Sequence, residues 1–264
     1  VSARAGELTR RPGGGALRWA AVVGFIAERE VRLRLSQGMV GYGWTFVVPL
    51  IWIGGLVLSF DYLGRAPTVL TDTASFVASG MIGYVVFRQT VTAMTRAPSH
   101  HRHVLGWEGI RAGDIFIAAA LIEALNAMLL LGLIRGLLAL YDPASAQIAD
   151  VLGALNGLGL AWALGTGFGI LAARTMGLSE SARRLIPLAL RPLFWISGIF
   201  FTAAELPARL LALFIWNPLL HVTEVLRSGY LEQYQTDIAR PLFPLGVAGA
   251  CLLIAALLPA PEDR

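Results

Sequence analysis

From Leu185 to Pro259 the chain reads LIPLALRPLFWISGIFFTAAEL (185–206), PARLLALFIWNPLLHVTEVLRSGY (207–230), LEQYQTDIA (231–239) and RPLFPLGVAGACLLIAALLP (240–259). The first and last pieces are apolar over roughly 20 residues, the length that crosses a hydrocarbon core about 30 Å thick. Residues 207–230 are too polar to cross and too apolar to lie free in water. They divide at Asn217-Pro218. Pro207 suits the first turn of one short helix, Asn217 can cap a second with Pro218 at its first position, and Gly229 can end it. Span, re-entrant helix pair, span is the pattern of a gated conduit rather than a simple anchor.

Composition extends this reading to the whole chain. Of 264 residues, 56% are hydrophobic and 14% are charged, against about 25% charged in soluble domains. Too little polar sequence lies outside the apolar stretches for a soluble catalytic domain, so one helical membrane domain is expected over 1–264. All 21 basic residues are arginine. A Walker A loop needs a lysine on the nucleotide phosphates, and Schiff-base chemistry needs a lysine amine; neither is available. Cys251 is the single cysteine, which excludes an intrachain disulfide and a cysteine zinc site. Residues 1–16 read as a flexible basic tail, with no apolar core of a cleavable signal.

Working outward, residues 17–37 carry a helical period. Trp19, Val22, Val23, Ile26 and Leu33 fall on one side, with Arg18, Glu28, Arg29, Arg32 and Arg34 largely away from it. Glu28–Arg32 and Glu30–Arg34 are i,i+4 pairs in the favourable order. Such a helix suits the membrane interface. Six spans then follow, near 41–63, 73–95, 114–136, 151–173, 185–204 and 241–259. With both termini cytoplasmic, fourteen arginines fall in inner segments and four in outer ones, as the positive-inside rule requires. The expected fold is therefore an all-α polytopic bundle of six transmembrane helices in 41–259. An amphipathic interface helix precedes it, and an outer re-entrant gate hairpin lies between helices 5 and 6. Gly153, Gly157, Gly165 and Gly169 form two GxxxG pairs on the fourth span, where backbones can approach closely.

Charges inside spans are costly, roughly 2.5–3.5 kcal/mol at the centre on insertion scales. Arg88 and Arg191 either snorkel to the inner surface or line a channel mouth that draws in an anionic substrate. Glu123 and Asn126 are expected to bond across helices or line a cavity. Trp44, Trp52, Tyr84, Phe87, Phe194 and Trp195 can stack on sugar faces while letting a glycan slide; Trp and Tyr also serve as interface anchors. His221, Glu224 and Arg227 share one face of the second re-entrant helix and are expected to face something wet. His100, His101 and His103 beside Arg102 suit a partner-facing surface better than a metal site, and no metal is expected. No nucleophile–base pair, HExxH or GxSxG occurs, so a membrane enzyme is the remote alternative.

The stretches EREVRLRLSQGMVGYGWTFVVPL (28–50), IPLALRPLFWISGIFFTAAELP (186–207) and WNPLLHVTEVLRSGY (216–230), in this order, resemble the membrane subunit of ABC-2-type polysaccharide exporters. The closest resemblance is to Gram-negative capsular-polysaccharide export permeases. It runs from about Ala27 to Leu258 and includes Gly41, Tyr42, Trp44 and Pro49 at the first span entrance. The resemblance implies a bacterial inner-membrane homodimer with a channel at its interface and two copies of a separate P-loop ATPase that holds ATP and magnesium. No cofactor is expected on this chain. The implied cargo is a lipid-linked acidic capsular polysaccharide, handed to a periplasmic adaptor of the polysaccharide co-polymerase type and an outer-membrane exporter. Membrane lipids are further partners; no nucleic acid is expected. It also implies ATPase contacts in 27–37 and 97–113, with Glu28, Arg29, Glu30, Arg32, Arg34, Arg102, Trp107 and Glu108 as candidates, and an outer gate bearing Trp216, Asn217, His221, Glu224 and Arg227. Within the same fold, O-antigen, teichoic acid, a drug or a lipid are alternative cargoes.

Overall fold

The computed structural model describes residues 15–36, 39–65, 67, 69, 71–101, 110–141 and 147–258. Ten α-helices run through them: α1 (Gly15–Ser36), α2 (Met39–Tyr62), α3 (Thr73–His100), α4 (Ala112–Tyr141), α5 (Val151–Leu178), α6 (Glu180–Ala189), α7 (Leu193–Ile196), α8 (Ala208–Phe214), α9 (Pro218–Tyr230) and α10 (Leu242–Leu257). A short 3-10 turn lies at Ala203–Glu205. Local chemistry explains several starts. The Asp72 carboxylate accepts from the Ser75 N–H at α3, Asp150 from Leu152 at α5, and Asn217 from Leu219 at α9, with Pro218 in the first turn.

Among the described residues, three helices are long and apolar enough to cross a membrane: α2 from Gly41, α4 through Leu140, and α5. The α8–α9 pair counts as a fourth only as a broken element, bent by 104°. Helix α10 has 16 residues, about 24 Å at 1.5 Å per residue. Helix α3 is long but less apolar, and its place accounts for that. Residues 75–87 are buried without interruption, so its surface meets other helices on all sides. Glycine, serine and alanine serve such contacts better than long aliphatic chains.

The fifth expected span, 185–204, is not one helix. Helix α6 stops at Ala189, α7 holds four residues, and Ser197–Thr202 has no helical ladder. Pro187 and Pro192 each lack an N–H to donate, and Gly198 takes φ +77°, a left-handed turn that favours glycine. Helix α6 buries no residue.

Helix α5 is the hub, packed against α3, α9 and α10. Its glycines divide the work, as their spacing suggested. A Cβ on Gly157 would sit 2.6 Å from the Leu226 backbone of α9, and one on Gly169 would sit 2.7 Å from Met94 Cβ of α3. Gly229 does not end α9, which continues to Tyr230. It is where α9 touches α5, and a Cβ there would lie 2.2 Å from the Ala154 nitrogen. The main core joins α3, α5 and α9. A smaller one, around Ile26, Met94 and Ile115, seats α1 on α3 and α4.

Candidate functional site

Helix α1 is fastened by both apolar and ionic contacts. Val22, Val23 and Ile26 are buried, and the same stripe continues one turn later in Glu30. Arg34 Nε donates to Glu30 Oε1 at 2.9 Å, and Arg34 Nη1 to Glu123 Oε1 on α4 at 2.7 Å. His101, at the end of α3, places Nε2 2.9 Å from Glu30 Oε2, while Arg29 Nη1 lies 3.0 Å from its Nδ1. Arginine only donates, so Nδ1 is the acceptor and the proton sits on Nε2, given to Glu30. Tyr42 on α2 donates to Asn126 on α4. Trp19 donates to Asp114 at 3.0 Å. Burial alone would push Glu30 up, but hydrogen bonds from His101 and Arg34, with the Arg34 charge, hold its carboxyl at about 2.

This geometry sorts the candidate coupling residues. Glu28 and Arg32 pair on the surface, with side chains 51% and 70% exposed. Glu30 and Arg34 turn inward and fasten α1 to its own bundle, so Arg34 lies on the buried side and Leu33 outside. The reason is the 22, 26, 30, 34 row at i,i+4 spacing. Arg29 lies between, on His101. Arg102, His103, Trp107 and Glu108 lie outside the described residues. Glu123 and Asn126 do bond across helices, as their place in an apolar helix suggested.

The aromatic candidates converge on Phe194. Its ring centroid lies 5.2 Å from Tyr84, 6.1 Å from Trp52, 5.3 Å from Trp195 and 5.2 Å from Phe200. Trp195 stacks on Phe200 at 5.1 Å and 19°. Tyr84 is buried beneath, while Trp52 and Trp195 are exposed, so the cluster presents aromatic rings outward. Phe87 is buried elsewhere, against Phe168. Trp44 is exposed on α2, outside the Phe194 ring contacts. Arg88 is exposed one turn beyond Tyr84. Helix α3 runs on to His100, twelve residues past Arg88, about 18 Å at 1.5 Å per residue. Arg191 is exposed at the break between α6 and α7.

The α9 stripe faces protein, which corrects the expectation that it faces something wet. His221, Glu224 and Arg227 are all buried, the last two completely. Their partners are largely backbone groups of neighbouring irregular segments. Arg227 Nη2 donates to the Gly198 carbonyl at 2.8 Å and Nη1 to the Phe201 carbonyl at 3.1 Å. Its guanidinium lies over the Phe76 ring at 4.3 Å. Glu224 accepts from the Ala203 N–H at 3.1 Å and from the Tyr234 hydroxyl. Asn217 donates to the Ile196 carbonyl at 3.0 Å. His221 Nε2 meets the Ile215 carbonyl at 2.8 Å, and its Nδ1 accepts from the Arg240 N–H. Trp216 alone of the gate candidates is widely exposed, edge-on to Phe243. Sequence spacing aligned the stripe; the missed partners were carbonyls that a broken span leaves open. Ser197-Gly198 between prolines and polar α9 was the available signal.

No family model matches the chain. Named relatives do resemble it. A polysialic acid transport protein, KpsM of Escherichia coli, is 25% identical over 212 residues, covering 79% of this chain and 81% of its own. The capsule polysaccharide export inner-membrane protein BexB of Haemophilus influenzae is 26% identical over 216 residues, 79% of this chain and 78% of its own. The capsule polysaccharide export inner-membrane protein CtrC of Neisseria meningitidis serogroup A is 25% identical over 244 residues, 90% and 88% of the two chains. These names match the capsular-export resemblance of the three sequence stretches.

Proposed function

We propose that this chain is the membrane subunit of an ATP-driven exporter that moves a lipid-linked acidic capsular polysaccharide out of the cytoplasm. The observation that carries the reading is the likeness to capsule-export inner-membrane proteins over about four-fifths of both chains. In this reading two copies form the channel between them, and two P-loop ATPase subunits supply the hydrolysis. The bundle crosses the bacterial inner membrane six times with both termini inside, and the α6–α7 break makes the fifth crossing irregular. A periplasmic adaptor and an outer-membrane exporter continue the route.

The geometry supports a sugar path beside Phe194. Exposed Trp52 and Trp195 offer flat faces that hold a sugar ring without fixing its register. An exposed arginine in mid-helix is expensive against lipid, which favours a wet surface for Arg88. There its charge attracts an acidic chain. The exposed Glu28–Arg32 pair supports the outward face of α1 as the side that an ATPase would meet.

A mild-detergent pull-down from the native host tests the assembly. A P-loop ATPase recovered with a glycan-export adaptor supports it; an intact sample with neither partner overturns it. Deleting the gene tests the cargo. Loss of surface capsule with intact lipopolysaccharide is expected, and the reverse would transfer the reading to O-antigen.

A further inference from the structure

Ser197–Thr202 is irregular backbone inside an apolar bundle, and such backbone persists only where its polar groups find partners in the protein or in water. Side chains supply them here. Asn217 takes the Ile196 carbonyl, Arg227 those of Gly198 and Phe201, Arg65 that of Phe200, and Glu224 the Ala203 N–H. Arg227 is the one that holds two carbonyls, and Phe200 lies between them.

The guanidinium has a built seat. Phe76 lies on its face. Gly80 leaves the room it occupies: a Cβ there would come within 2.7 Å of Arg227 Nη2 and 3.0 Å of the Ile199 carbonyl oxygen. The carbonyl fork fixes the Gly198–Phe201 turn, and the turn fixes where the Phe200 ring points. Phe200 in turn packs against both Trp195 and Phe194. Arg227 thus reaches the outward aromatic face through three residues of backbone, without touching it.

We propose that Arg227, seated against Gly80, is the positioning residue of the glycan path: it sets the Phe200–Trp195–Phe194 geometry over which sugars pass. This rests on the polysaccharide-exporter reading. Lysine keeps the charge but is a single point donor, so it cannot reproduce the two-carbonyl fork. Methionine keeps the length and leaves both carbonyls open. Gly80→Ala disturbs the same seat from the α3 side and removes no charge.

The test uses the full chain with its co-purifying ATPase in lipid nanodiscs and vesicles. The chain carries 5-fluorotryptophan, with the Trp195 19F resonance assigned by Trp195→Phe. Phe200→Ala gives the reference for lost stacking. Arg227→Met and Gly80→Ala are expected to move the Trp195 resonance toward that reference, and Arg227→Lys part of the way. Export of the host's own lipid-linked capsular polysaccharide into vesicles should fall at least tenfold in the first two, with ATP hydrolysis retained. If Arg227→Met does not fold, Gly80→Ala decides. A wild-type Trp195 resonance in the variants overturns the proposal, as does a moved resonance with undiminished export. If the wild-type complex moves no polysaccharide, the exporter reading fails by itself, and the resonance still reports whether Arg227 sets the aromatic geometry.

Discussion

The α1 network and the α9 clamp both use charged side chains to hold a helix, but they solve different problems. At α1, side chain meets side chain: Arg29, His101, Glu30, Arg34 and Glu123 form a chain from α3 through α1 to α4. Arg34 keeps 20% of its side chain exposed. Its partners Glu30 and Glu123 are buried, as is His101, but every bond in this chain joins side chains, so losing one leaves no backbone group open. At α9, side chain meets backbone, and Glu224 and Arg227 are fully buried. No water stands ready to take over. The first region ties one helix to two others, and the second keeps an irregular segment in shape.

The largest effect should come from the sealed side. Glu224→Ala strips the Ala203 N–H and Tyr234 of their acceptor and leaves the buried guanidinium of Arg227 without its nearby carboxylate, 3.9 Å away. Breaking such a buried set costs about 3–5 kcal/mol. Thermal unfolding in detergent should show it, and a loss below about 1 kcal/mol would mean the clamp is wetter than its burial indicates. Acid should act on the other region. The folded Glu30 carboxyl titrates at about 2 against an ordinary 4.5, a difference worth about 3 kcal/mol as an order of magnitude. Because the folded value is depressed, this stability is fully present above about pH 4.5. It is lost as pH falls toward 2. Hydrogen exchange across residues 19–34 should accelerate over that window while α9 stays protected, and Glu30→Gln should weaken the dependence, leaving the share of Glu123 and Asp114. Equal acceleration in both helices would erase the distinction. Trp19→Phe should have a smaller effect, about 1.5 kcal/mol, the low end for a hydrogen bond to a charged acceptor because Trp19 is half exposed. It should be read as earlier release of α1 in the same experiment.

How far the sequence carried the argument differs between the regions for a physical reason. Caps and turns are local, so Asn217-Pro218 could be read directly, and the glycine rows on α5 announced close contacts. A polar residue in an apolar helix advertises a need for a partner, which found Glu123 and Asn126. The identity of the partner is not local. For Glu224 and Arg227 it is the backbone of 198–203, and apolar composition looks the same whether a buried segment is helix or coil. The direction of the α1 pairs was within reach. Val22, Ile26 and Glu30 lie one i,i+4 step apart, and extending the apolar row would have turned Glu30 and Arg34 inward. Charge, rather than spacing, suggested the opposite. The aromatic cluster joins four of the six chosen rings because α7 returns beside α3, a tertiary fact no periodicity contains.

The smallest structural effect should come from the outward face of α1, and there the comparison is sharpest. Glu28 and Arg32 form an i,i+4 pair with most of each side chain exposed, and such pairs contribute about 0.3–0.5 kcal/mol. Glu28→Ala and Arg32→Ala should therefore leave thermal unfolding and α1 hydrogen exchange nearly unchanged. A role in docking the proposed ATPase would still appear in the assembled complex, as a severalfold loss of polysaccharide export at wild-type ATPase content, steeper for the double variant than for either single one. Glu30→Ala should lower coupling too, but only together with faster exchange of α1, because its partners are inside the chain. That split separates a residue that would touch the proposed ATPase from one that holds α1 to its own bundle. If Glu28 and Arg32 variants keep both stability and coupling, the proposed ATPase meets another face. If they lose stability as Glu30 does, α1 is held on its outward face as well as its inner one.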